Sequence, residues 1–195
     1  MIVVGLTGGI GMGKSTAAAI FRRARIPVFD ADAAVHALQA PGGAALPAIA
    51  AAFPGTVAQG VLDRAALRRA VIGRPEAFGL LERILHPMVR ALERRFLAGA
   101  RRGGARVAVL DIPLLLETGG DRRVDKVVVV SAPRAVQFAR VARRRKMTAE
   151  QIALIIARQM PDAEKRRRAD IVVSTGLSRH HAQRILRRFI ESLAP

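Results

Sequence analysis

Apolar and polar positions along the chain fall into two alternating regimes. Ile2 to Thr7 is a short apolar, β-branched run leading into glycine, which predicts a buried strand. Lys14 to Arg23 follows with helical spacing, and Ile26 to Phe29 predicts a second short strand. From Ala33 to Arg102 the pattern is helical, interrupted only at Pro41-Gly42-Gly43, Pro54-Gly55 and Gly73-Arg74-Pro75, and no strand is expected there. Beyond Gly103-Gly104, the runs Arg106 to Leu110, Lys126 to Val130 and Ile171 to Val173 predict three more central strands with helices between them.

Strands separated by helices indicate an α/β fold around a parallel sheet, here of five strands. The helical stretch is too long for a simple crossover. It reads as an insertion beside the carboxyl edge of the strands, where such sheets bind ligands. The expected organisation is a core at 1–32, a helical substrate domain at 33–104, core again at 105–132, two lid helices at 133–167, and a last strand and helix at 168–195. No internal repeat or disordered tail interrupts this order.

Composition narrows the function. The chain has 195 residues, no cysteine and a formal charge of +18, and only Lys14, Lys126, Lys146 and Lys165 among its 33 basic residues are lysine. Disulfides and thiolate metal sites are excluded, and a reducing compartment suits the chain. The N-terminus carries no charged segment ahead of an apolar one, and no window reaches the roughly 18 apolar residues of a membrane span. A cytoplasmic protein without membrane contact is therefore expected. The positive charge favours polyanionic partners, whether nucleic acid, anionic membrane or phosphorylated small molecules, and an arginine-rich coding bias produces the same excess. Without tyrosine or tryptophan, the aromatic platforms of sequence-tolerant single-strand binding are missing.

"VVGLTGGIGMGKST", Val3 to Thr16, carries the most specific chemistry. Gly8, four residues, then Gly13-Lys14-Ser15 match the P-loop pattern between a predicted strand and a predicted helix. At this composition chance supplies roughly 0.002 such matches. The glycines let successive backbone N–H groups curl toward phosphate oxygens, and the new helix adds its positive end. Lys14 reaches the β and γ phosphates, and the Ser15 hydroxyl ligates Mg²⁺. Asp111, at the mouth of the strand in "VAVLDIPLLLE", either holds Mg²⁺ directly or through water, or caps a helix. Glu117 reads equally as surface charge.

The absence of asparagine removes the Asn-Lys-x-Asp element of switch GTPases, and the size suits a small-molecule kinase. A kinase needs a carboxylate for the acceptor hydroxyl and arginines for the moving charge. "VFDADAAVHAL" offers Asp30 and Asp32, either of which also suits a helix N-cap. In "SAPRAVQFARVARRRKMTAEQ", Gln137, Arg140 and Arg144 share one helix face, and Thr148 with Gln151 forms a capping box for a second helix. Those two helices make a lid. Pro87 disfavours helical backbone at His86, so His86 is expected at a helix break, with Arg90 one turn on. His36, His180 and His181 read as surface or structural.

Together these stretches resemble the dephospho-CoA kinase family over nearly the whole chain: "GLTGGIGMGKST", "DAD" at Asp30 to Asp32, "LDRAALR" at Leu62 to Arg68, "ILHPMVR" at Ile84 to Arg90, "DIPLLLE" at Asp111 to Glu117 and "QMPDAEKRRRAD" at Gln159 to Asp170. The resemblance implies a P-loop kinase fold and phosphorylation of the ribose 3′-hydroxyl of dephospho-CoA by MgATP, giving coenzyme A and ADP. It implies that Gly9, Ile10, Gly11, Met12, Gly13, Lys14, Ser15 and Thr16 hold the nucleotide, with Ser15 and Asp111 on the metal. Asp32 is then the acceptor-side carboxylate, Arg140 the arginine on the transferring phosphate and Arg144 a second. Lys14, Asp32 and Arg140 form the catalytic set. Thr7, Asp32, His86, Arg90, Leu114 and Glu117 are implied substrate contacts. Two positions depart from the family pattern: Ile155-Ile156 stand where an arginine is usual ahead of Gln159, and Thr175 in "VVSTGLS" where asparagine is common. Both concern adenine contacts. The alternatives are another nucleoside or nucleotide kinase and, in a different class, a basic nucleic-acid binder. No obligate nucleic acid and a monomer or weak homo-oligomer are expected.

Overall fold

A computed structural model describes residues 1–145 and 148–193, with the side chains of 144, 145 and 179 left aside. The chain divides into two compact units, Met1–Phe29 with Gly99–Pro195, and Asp30–Ala98.

The first unit is built on β1 (Ile2–Thr7), β2 (Val28–Asp30), which runs into the second unit, and three later strands described below. Between them, α1 (Lys14–Arg23) starts directly after the glycine-rich loop. In the second unit lie α2 (Ala31–Leu38), α3 (Leu46–Ala52), β3 (Val57–Ala58), β4 (Val61–Leu62), α4 (Arg64–Val71) and α5 (Pro75–Arg102), the last extending past the boundary. The first unit resumes with β5 (Val107–Asp111), β6 (Lys126–Ser131), α6 (Arg134–Arg145), α7 (Ala149–Ala157), α8 (Asp162–Arg167), β7 (Ile171–Ser174) and α9 (Arg179–Ser192).

Five strands form one parallel sheet in the order β2-β5-β1-β6-β7, so β1 is central. Its register pairs Leu6 with Asp111 on one side and with Val128 on the other. Because side chains alternate across a strand, each buried run serves two cores. Val128 and Val130 face a layer made by Ala17, Ala18 and Phe21 of α1 with Ala182, Leu186 and Phe189 of α9. Val127 and Val129 face Leu115 and Leu116 on the opposite side. This three-layer arrangement lifts the ends of β1 and β5 to one edge, where the glycine-rich loop sits.

The second unit has its own core of Leu38, Leu46, Ile49, Phe53, Leu62, Leu67, Leu81 and Leu85. Two features there differ from the sequence expectation. A two-stranded antiparallel hairpin occupies Val57–Leu62, turning at Gln59 and Gly60 with φ of 50° and 73°. Strands of two residues are too short to leave a periodic signal. The helix expected to break at His86 runs unbroken from Pro75 to Arg102 with Pro87 inside it.

Candidate active site

The loop from Gly8 to Gly13 curls because its glycines take backbone that other residues resist: Gly11 has φ of 74° and Gly13, the N-cap of α1, φ of 94°. Space enforces the same choice, since a Cβ on Gly11 would meet Val141 at 2.7 Å and the Gln137 carbonyl at 3.0 Å. Lys14 and Ser15 open α1, whose first amides have no acceptor within the helix. Among the described residues the amides of Gly11 and Gly13 make no loop or side-chain hydrogen bond either. The loop therefore presents a concave row of donors at a helix N-terminus.

Lys14 Nζ lies 2.5 Å from Asp111 Oδ1, with the lysine side chain 17% exposed and the aspartate 4%. The parallel register of β1 and β5 sets this pair, since Leu6 and Asp111 are neighbours across the sheet. The Ser15 side chain is exposed beside it. A hydroxyl and a carboxylate next to a phosphate cradle are the hard oxygen donors that Mg²⁺ takes together with phosphate oxygens, so the residues present fit that ion.

Arg140 of α6 reaches across the loop. One nitrogen donates to Thr175 Oγ1 at 2.9 Å, another to the Thr175 carbonyl at 2.6 Å, and the Gly11 carbonyl lies within 3.4 Å. Thr175 in turn donates its hydroxyl to the Met12 carbonyl at 2.5 Å. A cavity of about 270 Å³ opens beside Gly11, Gly13 and Thr16, walled by Arg140, Arg143, Thr175, Leu177 and Ser178. Arg144 lies on the same helix, but its side chain falls outside the described residues. Met12, 4% exposed, packs in the core, and its sulfur accepts from the Ala132 amide at 3.0 Å. It serves the loop through its backbone.

Three positions expected at the substrate have definite neighbours. Thr7 is fully buried and donates its hydroxyl to the Pro113 carbonyl at 2.9 Å, bracing the turn after β5. Leu114, in that turn, is 40% exposed. Glu117, read from sequence as surface charge or substrate contact, pairs at 2.6 Å with Lys165, which is 1% exposed, and accepts the Met160 amide at 3.2 Å.

In the second unit, Asp30 N-caps α2 by accepting from the Ala33 amide at 3.0 Å. Asp32 follows in the first turn of α2 and is exposed. His86 and Arg90 occupy one exposed face of α5, with Glu82 Oε1 3.9 Å from His86 Nε2.

Sequence reasoning missed the roles of Thr175, Gln137 and Gln159 at the loop. Gln137 Nε2 donates to the Ile10 carbonyl at 2.8 Å, and Gln159 Oε1 accepts the Ile10 amide at 3.1 Å. The shared helix face of Gln137 and Arg140 was the available signal.

A strand, a glycine-rich loop and a helix at the centre of this sheet order, with a lysine and a strand-end aspartate at its edge, define a P-loop kinase. The family model for dephospho-CoA kinase matches residues 2–180. The dephospho-CoA kinase of Brucella melitensis is 52% identical over 194 residues, covering 100% of this chain and 96% of that protein. Among solved structures, TT1252 from Thermus thermophilus shares 34% identity at a TM-score of 0.88, covering 100% of this chain and 98% of that one. The fold alone is shared with the dephospho-CoA kinase of Campylobacter jejuni, at 22% identity and a TM-score of 0.65 over 98% of this chain and 96% of that one. The chain belongs to the dephospho-CoA kinase family, and its reaction is the ATP-dependent phosphorylation of dephospho-CoA to CoA.

Proposed function

We propose that in this chain the γ-phosphoryl group of ATP passes in line to the ribose 3′-hydroxyl of dephospho-CoA, with Asp32 receiving the hydroxyl proton. The observation that carries this assignment of roles is the Lys14–Asp111 pair beside the open amides of Gly11 and Gly13. On binding ATP, Lys14 turns from Asp111 to the β and γ phosphates, while the loop amides and the α1 N-terminus hold their charge. Ser15 and Asp111 would hold Mg²⁺, which would supply positive charge against the phosphate oxygens. The bond between the 3′-oxygen and Pγ forms, the bond from Pγ to the bridging oxygen breaks, and ADP leaves with those electrons. Arg140 meets the charge on the moving group.

Asp30 already serves as an N-cap, which supports Asp32 as the acceptor carboxylate of the pair. The cavity lined by Arg140, Arg143, Thr175 and Leu177 is the place assigned to the adenosine end of ATP. His86, Arg90 and Leu114 meet the acceptor, and Thr7 and Glu117 act through the backbone segments they hold. Among the described residues no helix is long and apolar enough to cross a membrane. A cytoplasmic monomer or weak homo-oligomer without an obligate nucleic-acid partner completes the reading.

Asp32→Ala tests it: turnover on dephospho-CoA drops about 10²- to 10⁴-fold while ATP affinity stays within a few-fold. Near-normal turnover removes Asp32 from the mechanism.

A further inference from the structure

The Ile10 backbone, in the middle of the glycine-rich loop, is held on both sides, from α6 and from the segment just after α7. Gln137, 4% exposed on α6, donates its amide nitrogen to the Ile10 carbonyl, and Gln159, just beyond α7, accepts the Ile10 N–H. The two side chains cross directly over Gly9, where an added Cβ would meet Gln159 Oε1 at 3.2 Å and Gln137 Nε2 at 3.4 Å. Gln159 is delivered from a fastened base. The Met160 amide donates to Glu117, Ser131 Oγ donates to Asp162 at 2.7 Å, and buried Lys165 closes on the same Glu117. The segment after α7 is therefore tied to the turn beyond β5 and to the end of β6, and from it Gln159 reaches the loop.

We infer that Gln137 and Gln159 are positioning residues for the transfer, a two-sided clamp through which α6 and the segment after α7 set the shape of the phosphate cradle. This rests on the cradle being the ATP site. The hydrogen-bond polarity is fixed by the peptide itself, because an N–H only donates and a carbonyl only accepts. Position 159 must supply an acceptor, and position 137 must supply a donor. Displacement of α6, or of the segment that carries Gln159, from the loop costs the Ile10 backbone one partner, so the cradle is set only when both are seated.

The polarity makes one substitution discriminate. Glutamate keeps the acceptor at 159 but destroys the donor at 137 and faces a carbonyl with a carboxylate. Gln159→Glu should hold kcat/KM for ATP within about 3-fold of the parent chain, and Gln137→Glu should lower it about 10-fold or more, with KM for dephospho-CoA little changed in both. Gln159→Leu, which carries no acceptor, should lose activity that Gln159→Glu retains. If Gln137→Glu fails to fold, Gln137→Met removes the donor without adding charge and should show the same loss. Leu154→Ala on the exposed side of α7 serves as the unaffected reference. Full activity without the donor at 137, equal losses for the two glutamate variants, or a greater loss at 159 than at 137 each overturn the clamp. Lys14→Ala separates the two readings: if it binds ATP normally the cradle assignment falls, and if it does not while the glutamate variants behave alike, only the clamp falls.

Discussion

Thr175 shows how one side chain can organise a site without being recognisable beforehand. Its hydroxyl donates to the Met12 carbonyl and receives Arg140, while its methyl and hydroxyl lie 3.0 to 3.2 Å from where a Gly13 Cβ would stand. From sequence it registered only as a departure from the family pattern, because its partners are 35 and 163 residues away. Asp30 and Asp32 went the other way. The motif was plain in sequence, but which aspartate caps α2 depended on backbone geometry, and Asp30 has the extended φ and ψ of −109° and 109° that a cap requires. Asp111 sits between these cases, a strand-end carboxylate whose pairing with Lys14 needs the β1–β5 register. Asp111→Asn should raise the Mg²⁺ concentration for half-maximal turnover about 10- to 100-fold, the range expected when a carboxylate supporting a metal is lost. A Mg²⁺ titration unchanged from the parent chain would return Asp111 to a purely structural part.

Among the elements, capping was the most legible feature and helix continuity the least. The Thr148–Gln151 box is present in both directions, at 3.3 and 3.0 Å, because its spacing alone specifies it. Asp63 likewise caps α4 through the amides of Ala65 and Ala66. At Pro87 the local rule lost to packing. Leu81 and Leu85 before the proline and Met88, Val89 and Leu92 after it all pack on one core, so a break would uncover half of that face. His86 and Pro87 themselves lie on the exposed side, where water can satisfy the carbonyl that proline leaves without a donor. Between β6 and β7, Asp170 accepts the Val127 amide at 2.8 Å and the Lys126 ammonium at 3.2 Å. Burial raises its pKa, but those two bonds, the positive charge of Lys126 and Asp170's own backbone N–H together outweigh it and hold it below its ordinary 3.8. A depressed folded pKa contributes stability that is complete above the unfolded value and disappears as pH falls through the folded one. The parent chain should therefore resist urea better than Asp170→Asn at neutral pH, with the two midpoints converging as pH falls below 3.8. A gap that persists at that acidity would assign the effect to shape rather than charge.

For the whole molecule, the charge of +18 is the property least connected to any one contact. Surface arginines bind polyanions by counterion release, so DNA affinity should fall about 10³-fold or more between roughly 50 and 200 mM salt, while turnover on dephospho-CoA persists. Nanomolar DNA binding that survives physiological salt would revive a nucleic-acid role. The sequence by itself determined the α/β class, the P-loop and the family, because glycine spacing, strand periodicity and cap motifs are local and act within a few residues. Only the tertiary structure decided that Lys14 meets Asp111, that Glu117 is bound to Lys165, that the Thr7 hydroxyl bonds the Pro113 carbonyl, and that two glutamines hold Ile10. Each of those pairings joins segments tens of residues or more apart, and strand register and helix packing, which no short stretch encodes, bring them within hydrogen-bonding distance.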